Sequence, residues 1–447
     1  MLGSKGGEKM ILALFMNLGW GNAIKDSSWN MELLATWTDG DTDMVWDVAS
    51  YQNYIYLAHH NKGVTILAMY DSLGKTVIRQ EGRVDSGGIR SFVAVRDTFL
   101  YCGYNDMLKI WSIADPANPV FVGMDSTWNY WHPDRTLFYE DYLFVGDDAV
   151  FIYNISDPRN PYLVNKPAIP GNGGGMALQD TPYCSFPALF VGYNIPSRDE
   201  TWIASYDITD PENPVLVDSL LLGDYGHVNS MAAYQNYIYM SVYGGLIVLF
   251  DVSDPSNIQL VGADNAPEYD DMLIRQASRR FYLSSADRVE TRDLTDPTAP
   301  ARIGLYRADT AWYFGAIAWQ GGRLMVTAAN WWYAPWTNDL YIFHYLGDTL
   351  SPLPPLPSVQ EGAQALSFEA RISGNSLKLV VPRRDLVSLR LFDISGRLIR
   401  EIYSGHLSRG SYTFPLNIEK EPPGIYLLQV IWDGQRTVLK TITHRRR

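Results

Sequence analysis

The apolar and polar positions follow one pattern that recurs along the first three quarters of the chain. An apolar strand is followed by a short turn, a second strand ending in a hydrophobic-Asp pair, and a turn rich in Asp and Pro. The pattern occurs at Trp111-Ser112-Ile113-Ala114-Asp115-Pro116, Tyr153-Asn154-Ile155-Ser156-Asp157-Pro158, Tyr206-Asp207-Ile208-Thr209-Asp210-Pro211, Phe250-Asp251-Val252-Ser253-Asp254-Pro255 and Arg292-Asp293-Leu294-Thr295-Asp296-Pro297, with a degenerate copy at Tyr70-Asp71-Ser72-Leu73-Gly74. Short apolar segments bounded by turn residues are typical of β-strands, so the pattern predicts an all-β repeat protein.

The strand ahead of each turn provides a measure of the repeat. Its central apolar residue falls at Ile55, Leu100, Leu143, Leu189, Ile238, Phe281 and Leu324. Successive positions lie 45, 43, 46, 49, 43 and 43 residues apart. One four-stranded blade of a β-propeller takes roughly 40–45 residues. The spacing therefore predicts a seven-bladed β-propeller over residues 30–347.

The two ends of the repeat array are complementary. Most repeats continue after the turn with a further strand, such as Val120-Phe121-Val122, but the seventh runs from Tyr341 straight into a proline-rich segment. A strand of the missing type stands at the front, from Glu32 to Trp37. We expect it to complete the seventh blade and close the ring, which hides sheet edges that would otherwise favour aggregation.

The acidic turns admit a structural and a metal-binding interpretation. Asp in a turn accepts backbone N–H bonds and Pro fixes φ, so a turn repeated once per blade is best explained as architecture. Asp39-Gly40-Asp41-Thr42-Asp43 has the alternating acids of a calcium loop. Met44 stands where that loop needs Gly, and Ser50 where it needs Glu. We interpret it as a solvated acidic turn and predict no metal site.

The repeated turn resembles the LVIVD repeat family. Its pattern is a hydrophobic residue, Asp, an aliphatic residue, Ser or Thr, and then Asp-Pro-x-x-Pro, as at Ile155 to Pro161 and Ile208 to Pro214. The resemblance spans roughly residues 30–346. It implies an extracellular or cell-surface β-propeller and brings no shared catalytic residues.

A proline-rich linker, residues 348–363, precedes a second domain, residues 364–447. Prolines between Pro352 and Pro357 favour an extended, semi-rigid spacer. Six short alternating strands follow and predict a small immunoglobulin-like β-sandwich. They are Leu377 to Val381, Val387 to Ile394, Leu398 to Tyr403, Ser411 to Leu416, Ile425 to Trp432 and Thr437 to His444.

The second domain is similar to the C-terminal sorting domain of type IX secretion. The similarity lies in Leu391-Phe392-Asp393-Ile394-Ser395-Gly396-Arg397, Leu407-Ser408-Arg409-Gly410, Pro423-Gly424-Ile425-Tyr426 and Lys440. It implies secretion machinery as a partner and a secreted or outer-surface location. The basic end Arg445-Arg446-Arg447 departs from that pattern. The domain is also similar to immunoglobulin-like modules that only pack or link.

The N-terminus has the features of an export signal, residues 1–23. Lys5 and Lys9 precede an apolar run from Met10 to Leu18, and small residues follow at Gly21-Asn22-Ala23. A buried N-terminal strand is the alternative. The run is too short to span a bilayer, and no later stretch predicts a transmembrane helix.

Composition narrows the class of protein. Hydrophobic residues make up 47% of the 447 residues, and aromatic residues, which favour strands, 13%. The formal charge is −13; residues 364–447 carry 14 Lys and Arg against 7 Asp and Glu, a balance of +7 that leaves −20 on the rest. A repeat region this acidic repels phosphate, so we expect no nucleic-acid partner.

The two cysteines, Cys102 and Cys184, fall in different repeats, and we expect both to be free thiols.

The sequence contains no catalytic or cofactor signature, and we predict no cofactor. Nucleophile elbow, zinc-protease and P-loop patterns are all absent from the sequence. Gly171-Asn172-Gly173-Gly174-Gly175 only superficially resembles a nucleotide loop, and we expect a flexible connection between blades. His59 and His60 are adjacent on a strand, so their rings should point to opposite faces and share no metal.

The best binding candidate is the mouth of the propeller channel. The residues just before each innermost strand should line that mouth, and aromatic rings beside charges suit sugar or peptide recognition. The candidate ligand-binding residues are Trp46, Asp47, Arg90, Trp131, His132, His227, Asp271, Trp312 and Tyr313. Packing of these rings between blades is the alternative for any single one.

Three functions fit this sequence. The first is a secreted or cell-surface, non-catalytic propeller that binds a carbohydrate or protein ligand. The second is a surface enzyme acting on polysaccharide, a glycoside hydrolase or lyase, with Asp47 and Asp271 as acid and base or with His132 or His227 as base. The third is a purely structural propeller in an envelope assembly. We predict no catalytic residues and favour the first function.

Overall fold

The computed structural model describes two compact units, residues 1–354 and 355–447. The described residues are 9–10, 28–40, 43–72, 74–84, 90–104, 107–126, 135–146, 149–167, 169, 171–285, 287–308, 313–329, 339–353, 369–373, 375–381, 385–394, 397–407, 410–418, 421–432 and 435–443. Of the predicted export signal, only residues 9 and 10 fall within them.

The first unit consists of antiparallel sheets of four strands that follow one another along the chain. Sheet 1 contains β3 (Val45–Tyr51), β4 (Tyr54–His59), β5 (Gly63–Ser72) and β6 (Lys75–Val84). Sheet 2 contains β7 (Arg90–Arg96), β8 (Phe99–Tyr104), β9 (Met107–Ser112) and β10 (Val120–Asp125). Sheet 3 contains β11 (Arg135–Tyr139), β12 (Tyr142–Gly146), β13 (Val150–Asn154) and β14 (Tyr162–Asn165). Sheet 4 contains β15 (Asn172–Gln179), β16 (Ala188–Ile195), β17 (Glu200–Asp207) and β18 (Val215–Gly223).

The remaining sheets of this unit have the same order of strands. Sheet 5 contains β19 (Val228–Tyr234), β20 (Tyr237–Val242), β21 (Leu246–Asp251) and β22 (Gln259–Asn265). Sheet 6 contains β23 (Tyr269–Arg275), β24 (Arg280–Ser285), β25 (Arg288–Asp293) and β26 (Ala301–Arg307). Sheet 7 contains β27 (Tyr313–Gln320), β28 (Arg323–Ala329), β29 (Leu340–Tyr345) and β2 (Met31–Trp37). A two-residue strand, β1 (Lys9–Met10), pairs in parallel with β18, and two 3-10 turns span Pro196–Arg198 and Gln276–Ser278.

Apolar clusters join these sheets into a ring. Each first strand packs against the first strand of the next sheet, and β27 packs against β3. The described residues form one apolar cluster between each pair of neighbouring sheets. A further cluster joins the last sheet to the first, with Met325 and Ile342 against Val48 and Leu67. The ring is therefore closed by the same kind of core that joins its interior sheets.

The seven residues that set the repeat length all lie in second strands. Ile55, Leu100, Leu143, Leu189, Ile238, Phe281 and Leu324 are each buried. The sequence spacing therefore reports one structural position, the second residue of the second strand in each sheet. This confirms the all-β repeat architecture.

The front strand closes the ring as predicted. β2 pairs antiparallel with β29, with Thr36 opposite Tyr341 and Trp37 opposite Leu340. It occupies the outer position of sheet 7, whose other strands come from the opposite end of the repeat array. A strand from one end of the array thus protects the edge left open at the other.

The Asp-Pro turns are structural. The carboxylate of Asp157 accepts the backbone N–H of Arg159 at 3.0 Å and the side-chain amide of Asn160 at 2.7 Å. These hydrogen bonds lower the pKa of Asp157. Asp210 and Asp254 also accept a backbone N–H two residues on. The interpretation of these acids as turn-forming residues is therefore confirmed.

Several of these turns also dock on the preceding sheet. The Tyr56 hydroxyl donates to the carbonyl of Pro116 at 3.1 Å, and the Tyr239 hydroxyl donates to Pro297 at 2.6 Å. Ser205 makes the matching bond to Pro255 at 2.6 Å. The repeated turn thus both reverses the chain and fixes one sheet to the next.

Three of the four glycines that the sequence assigned to a flexible connection, Gly173 to Gly175, lie in a strand instead. β15 begins at Asn172, and Gly173 pairs with Tyr193. A Cβ on Gly174 would lie 1.7 Å from the carbonyl oxygen of Val228 on the neighbouring first strand. The glycines therefore permit close approach of two inner strands, which is a packing role rather than flexibility.

The second unit consists of two antiparallel sheets. One contains β30 (Glu369–Ser373), β31 (Ser376–Val381) and β34 (Gly410–Pro415); the other contains β33 (Leu398–Leu407), β32 (Asp385–Asp393), β35 (Gly424–Trp432) and β36 (Gln435–Thr443). Leu379 of the first sheet and Leu389 and Leu428 of the second share one buried core. The six predicted strands occur with their ends shifted by at most four residues, and β30 was not predicted.

No helix in the described parts of the chain is long and apolar enough to cross a membrane.

Candidate functional site in the central channel

Two predicted acids hold neighbouring first strands together. Asp47, on β3, accepts the backbone N–H of Val48 at 2.8 Å and that of Val93, on β7, at 3.0 Å. Asp271, on β23, accepts the N–H of Met272 at 2.6 Å and that of Ile317, on β27, at 2.8 Å. Both acids sit beside an irregularity in the first strand, which turns the side chain toward the next sheet. Each carboxylate therefore links one sheet to the next.

Arg135 pairs with Asp271 across the channel. It begins β11 on sheet 3, yet its guanidinium lies 3.0 Å from the Asp271 carboxylate on sheet 6. It also donates to the carbonyl of Asp270 at 2.8 Å. A cation spanning sheets that are not neighbours must cross the channel, so these residues form a plug across it. We call Asp47, Arg135, Asp270 and Asp271 the channel plug.

Burial sets the protonation of the channel plug. Burial raises the pKa of Asp47 to about 7, against the lowering effect of its two backbone hydrogen bonds, and Asp271 adds a smaller rise. Burial also raises the pKa of Asp270 to about 7, and the charge of Glu268 contributes in the same direction. Near neutral pH these two carboxyls carry protons part of the time.

A cavity of about 570 Å³ lies beyond the channel plug and is lined by first-strand residues of every sheet in the ring. The plug residues Asp47, Arg135 and Asp271 form one end of it. Met176 and Met231 near the plug are buried, while Phe138 and Trp319 farther along are partly exposed. The cavity therefore runs along the first strands from the channel plug toward Phe138 and Trp319.

The other predicted ligand-binding residues are more scattered. The Trp46 indole donates to His60 at 2.9 Å, so its ring packs on its own sheet. His227 is exposed just before β19, and its carbonyl accepts the N–H of Tyr243 at 2.8 Å. Arg90 and Tyr313 begin β7 and β27, although the positions of their side chains are outside the described features. Trp131, His132 and Trp312 lie outside the described residues.

The structure thus brings Asp47 and Asp271 together around a residue that the sequence reasoning missed. Arg135 has a detectable signal, because it stands eight residues before Leu143, just as Asp47 stands eight residues before Ile55. Aligning the repeats on that position places Arg135 level with Asp47. Asp271 is ten residues before its reference position because the 3-10 turn Gln276–Ser278 intervenes.

The structure also shows the surroundings of the two adjacent histidines and the two cysteines. In the described parts of the chain, no three His, Cys, Asp or Glu side chains are arranged to hold a metal ion. His59 is fully buried with its Nδ1 3.8 Å from Asp43, whereas His60 contacts Trp46, so the two rings have separate surroundings. Cys102 and Cys184 are buried thiols that form no disulfide with each other, as predicted.

Comparison with known proteins supports the repeat and the fold. Two segments of the chain match the LVIVD repeat. They are residues 43–67 and 225–265, in sheets 1 and 5. No curated protein sequence matches the chain.

Three solved structures match the chain at low sequence identity. The crystal structure of the RRP9 WD40 repeats has a TM-score of 0.51 and 11% identity, covering 71% of this chain and 98% of that one. The structure of U3-55K gives 0.48 and 12% identity, covering 71% and 98%, and the computationally designed Ika8 protein gives 0.44 and 13%, covering 91% and 99%. WD40 repeats form β-propellers of four-stranded blades, so the likeness to the RRP9 repeats supports a β-propeller fold for the first unit.

Proposed function

We propose that the protein is an exported, non-catalytic binding propeller of seven blades, followed by an immunoglobulin-like sandwich that acts as a type IX sorting domain. The closed ring of four-stranded sheets supports the propeller. The two-sheet C-terminal unit supports the sandwich. The propeller repeat fold suggests a scaffold for interactions with other molecules. Its ligand is a carbohydrate or a protein.

The observation that carries the non-catalytic assignment is the bonding of the two candidate acids. Asp47 and Asp271 each accept two backbone N–H bonds, and Asp271 also pairs with Arg135. A catalytic carboxyl must exchange a proton with the substrate and needs an oxygen free to reach it. Both oxygens of each carboxylate accept backbone hydrogen bonds, one from the same strand and one from the neighbouring sheet, so these two acids stabilise the ring.

The ligand-binding site in this proposal is the channel mouth where the first strands begin. An array of glycans and peptides, probed with the full chain and with a Trp131→Ala and Trp312→Ala double variant, tests it. Binding that the double variant loses supports the mouth. Binding that the double variant retains places the ligand elsewhere on the ring. A protein that binds neither array contradicts a carbohydrate or linear-peptide ligand.

One observation favours the polysaccharide-acting enzyme as a second candidate. Asp47 and Asp270 have pKa values of about 7, a range suited to a general acid at neutral pH. Any glycan found on the array is then incubated with the protein, and reducing ends or unsaturated products are measured. Turnover that disappears in Asp47→Asn or Asp270→Asn supports the enzyme, and binding without turnover supports the non-catalytic propeller.

A further inference from the structure

A second concave surface lies on sheet 5, on the face where the first strands begin. It is a groove of about 680 Å³ between the loop joining β18 to β19 and the turn joining β20 to β21. Its principal side chains are Asp224, Tyr225, Tyr243, Leu246 and Asn265. We call these five residues the sheet 5 groove. Pockets of this size accommodate small molecules and short stretches of polymers.

Hydrogen bonds fix the walls of the sheet 5 groove. The buried Thr201 hydroxyl donates to the carbonyl of Gly226 at 2.9 Å and accepts the N–H of Tyr225 at 3.1 Å. The N–H of Tyr243 donates to His227, which ties the turn to the loop. The groove is therefore formed before any ligand arrives, which lowers the entropic cost of binding.

The equivalent place on sheet 6 is filled by charged side chains. Leu246 pairs with Asn265 at the start of β21, and at the start of β25 Arg288 pairs with Arg307. On sheet 6 the Arg288 guanidinium lies 2.6 Å from Asp287, and that of Arg307 lies 3.6 Å from the same carboxylate. Sheet 5 lacks this ion cluster because its turn carries glycine where sheet 6 carries Asp287.

Two glycines keep the groove open. Gly244 and Gly245 have φ values of +86° and +82°, a conformation that disfavours side chains. A Cβ on Gly245 would also lie 2.5 Å from the carbonyl oxygen of Ala266. A turn with side chains would be strained here, so the hollow follows directly from the Tyr243-Gly244-Gly245 sequence.

The lining matches the chemistry of a neutral sugar. The Tyr243 side chain is 64% exposed, although a large aromatic ring usually packs inside a protein. It offers a flat apolar face for stacking and a hydroxyl at its edge. Asp224 and Asn265 are exposed on the lining and can bond sugar hydroxyls. In the described lining Asp224 is the only charged side chain, which disfavours an anionic glycan.

We propose that the sheet 5 groove binds a neutral chain of pyranose sugars, with one ring stacked on Tyr243. The proposal rests on the proposed binding function and adds a site separate from the channel mouth. The cavity beyond the channel plug is lined by other residues and has no part in it.

The test is calorimetric titration of the full chain with cellohexaose, laminarihexaose, mannohexaose and xylohexaose. At least one of these should bind, and Tyr243→Ala should weaken its binding by about tenfold or more, as expected for a central aromatic contact. Asn265→Arg copies sheet 6, introduces a bulky charge into the groove, and should weaken binding in the same way. Tyr162→Ala is the matched control, because Tyr162 is 50% exposed on the outer strand of sheet 3. It should bind as the unchanged protein does.

The groove proposal is overturned if none of the four hexasaccharides binds, or if Tyr243→Ala binds as tightly as the unchanged protein. Loss of binding in the Trp131→Ala and Trp312→Ala variant with full binding in Tyr243→Ala overturns the groove and leaves the channel mouth standing. The reverse result supports the groove and shows that the channel mouth does not bind this sugar. Unchanged thermal unfolding of each variant shows that the ring is intact.

Discussion

The guanidinium of Arg323 lies 3.1 Å from the carboxylate of Asp71, and these two residues join the last sheet of the ring to the first. Arg323 is buried at the start of β28 and also donates to the carbonyl of Ser351 at 2.7 Å. The second oxygen of Asp71 accepts the N–H of Leu353 at 2.9 Å. Residues 348–353, which the sequence assigned to the linker, are thus bound to the ring across the closure point.

The Asp71–Arg323 pair should contribute measurably to ring stability. Asp71→Asn leaves Arg323 buried without its counter-charge, so we expect the free energy of unfolding of the first unit to fall by about 1–3 kcal/mol. Urea unfolding followed by tryptophan fluorescence measures it. Arg198→Gln removes an exposed arginine 3.9 Å from Glu200 and should change the value by less than about 0.5 kcal/mol. Equal effects of the two substitutions would contradict a role in closure.

The bond from a tyrosine hydroxyl to the next turn should stabilise the ring at an interior joint. Tyr239→Phe removes the bond to the carbonyl of Pro297 while keeping the buried ring in place. We expect a loss of about 0.5–1.5 kcal/mol in the free energy of unfolding, because the carbonyl loses its donor. Tyr237→Phe, on the partly exposed start of the same strand, serves as the control and should have little effect. Stability that Tyr239→Phe leaves unchanged would show that the turn is held by packing alone.

The channel plug should make ring stability depend on pH. The pKa of Asp47 is about 7 in the folded protein, against 3.8 for an unperturbed aspartate, so the folded form holds a proton that the unfolded chain releases between these values. Its contribution is fully present below pH 4 and is lost as the pH rises through 7. We expect Asp47→Asn to reduce the difference in unfolding free energy between pH 5 and pH 8 by about 1–3 kcal/mol. Asp270 titrates in the same range, so part of the difference should remain.

Urea unfolding at the two pH values measures this effect. Asp199→Asn, at the exposed end of a 3-10 turn, provides the control and should preserve the full difference. A difference that is equally large in Asp47→Asn and in the unchanged protein would mean that other groups carry the pH dependence.

The sequence predicts what is encoded locally or by repetition. The buried second-strand positions from Ile55 to Leu324 and the closing strand β2 follow from apolar patterning and a fixed repeat length. The channel plug is not encoded locally, because Arg135 and Asp271 are 136 residues apart in the sequence and meet only when the ring closes. Which way a charged side chain turns at an irregular first strand also depends on the neighbouring sheet. The sequence therefore predicts the fold more completely than it predicts the contacts of the mouth residues.

The bound segment at residues 348–353 also decides where the second unit can be removed for a test of secretion. A chain ending at Leu353 keeps the contacts of Ser351 and Leu353 with the ring, so the first unit should still fold. If the second unit is the sorting signal, that truncated chain should accumulate in the periplasm of a type IX-secreting bacterium while the full chain reaches the outside. Immunoblots of periplasm, cell surface and medium measure the distribution. The control is a full chain carrying Tyr162→Ala, which should be exported normally. Export of the truncated chain in the same proportion as the full chain would contradict the sorting role and would leave a packing or linking role for the sandwich.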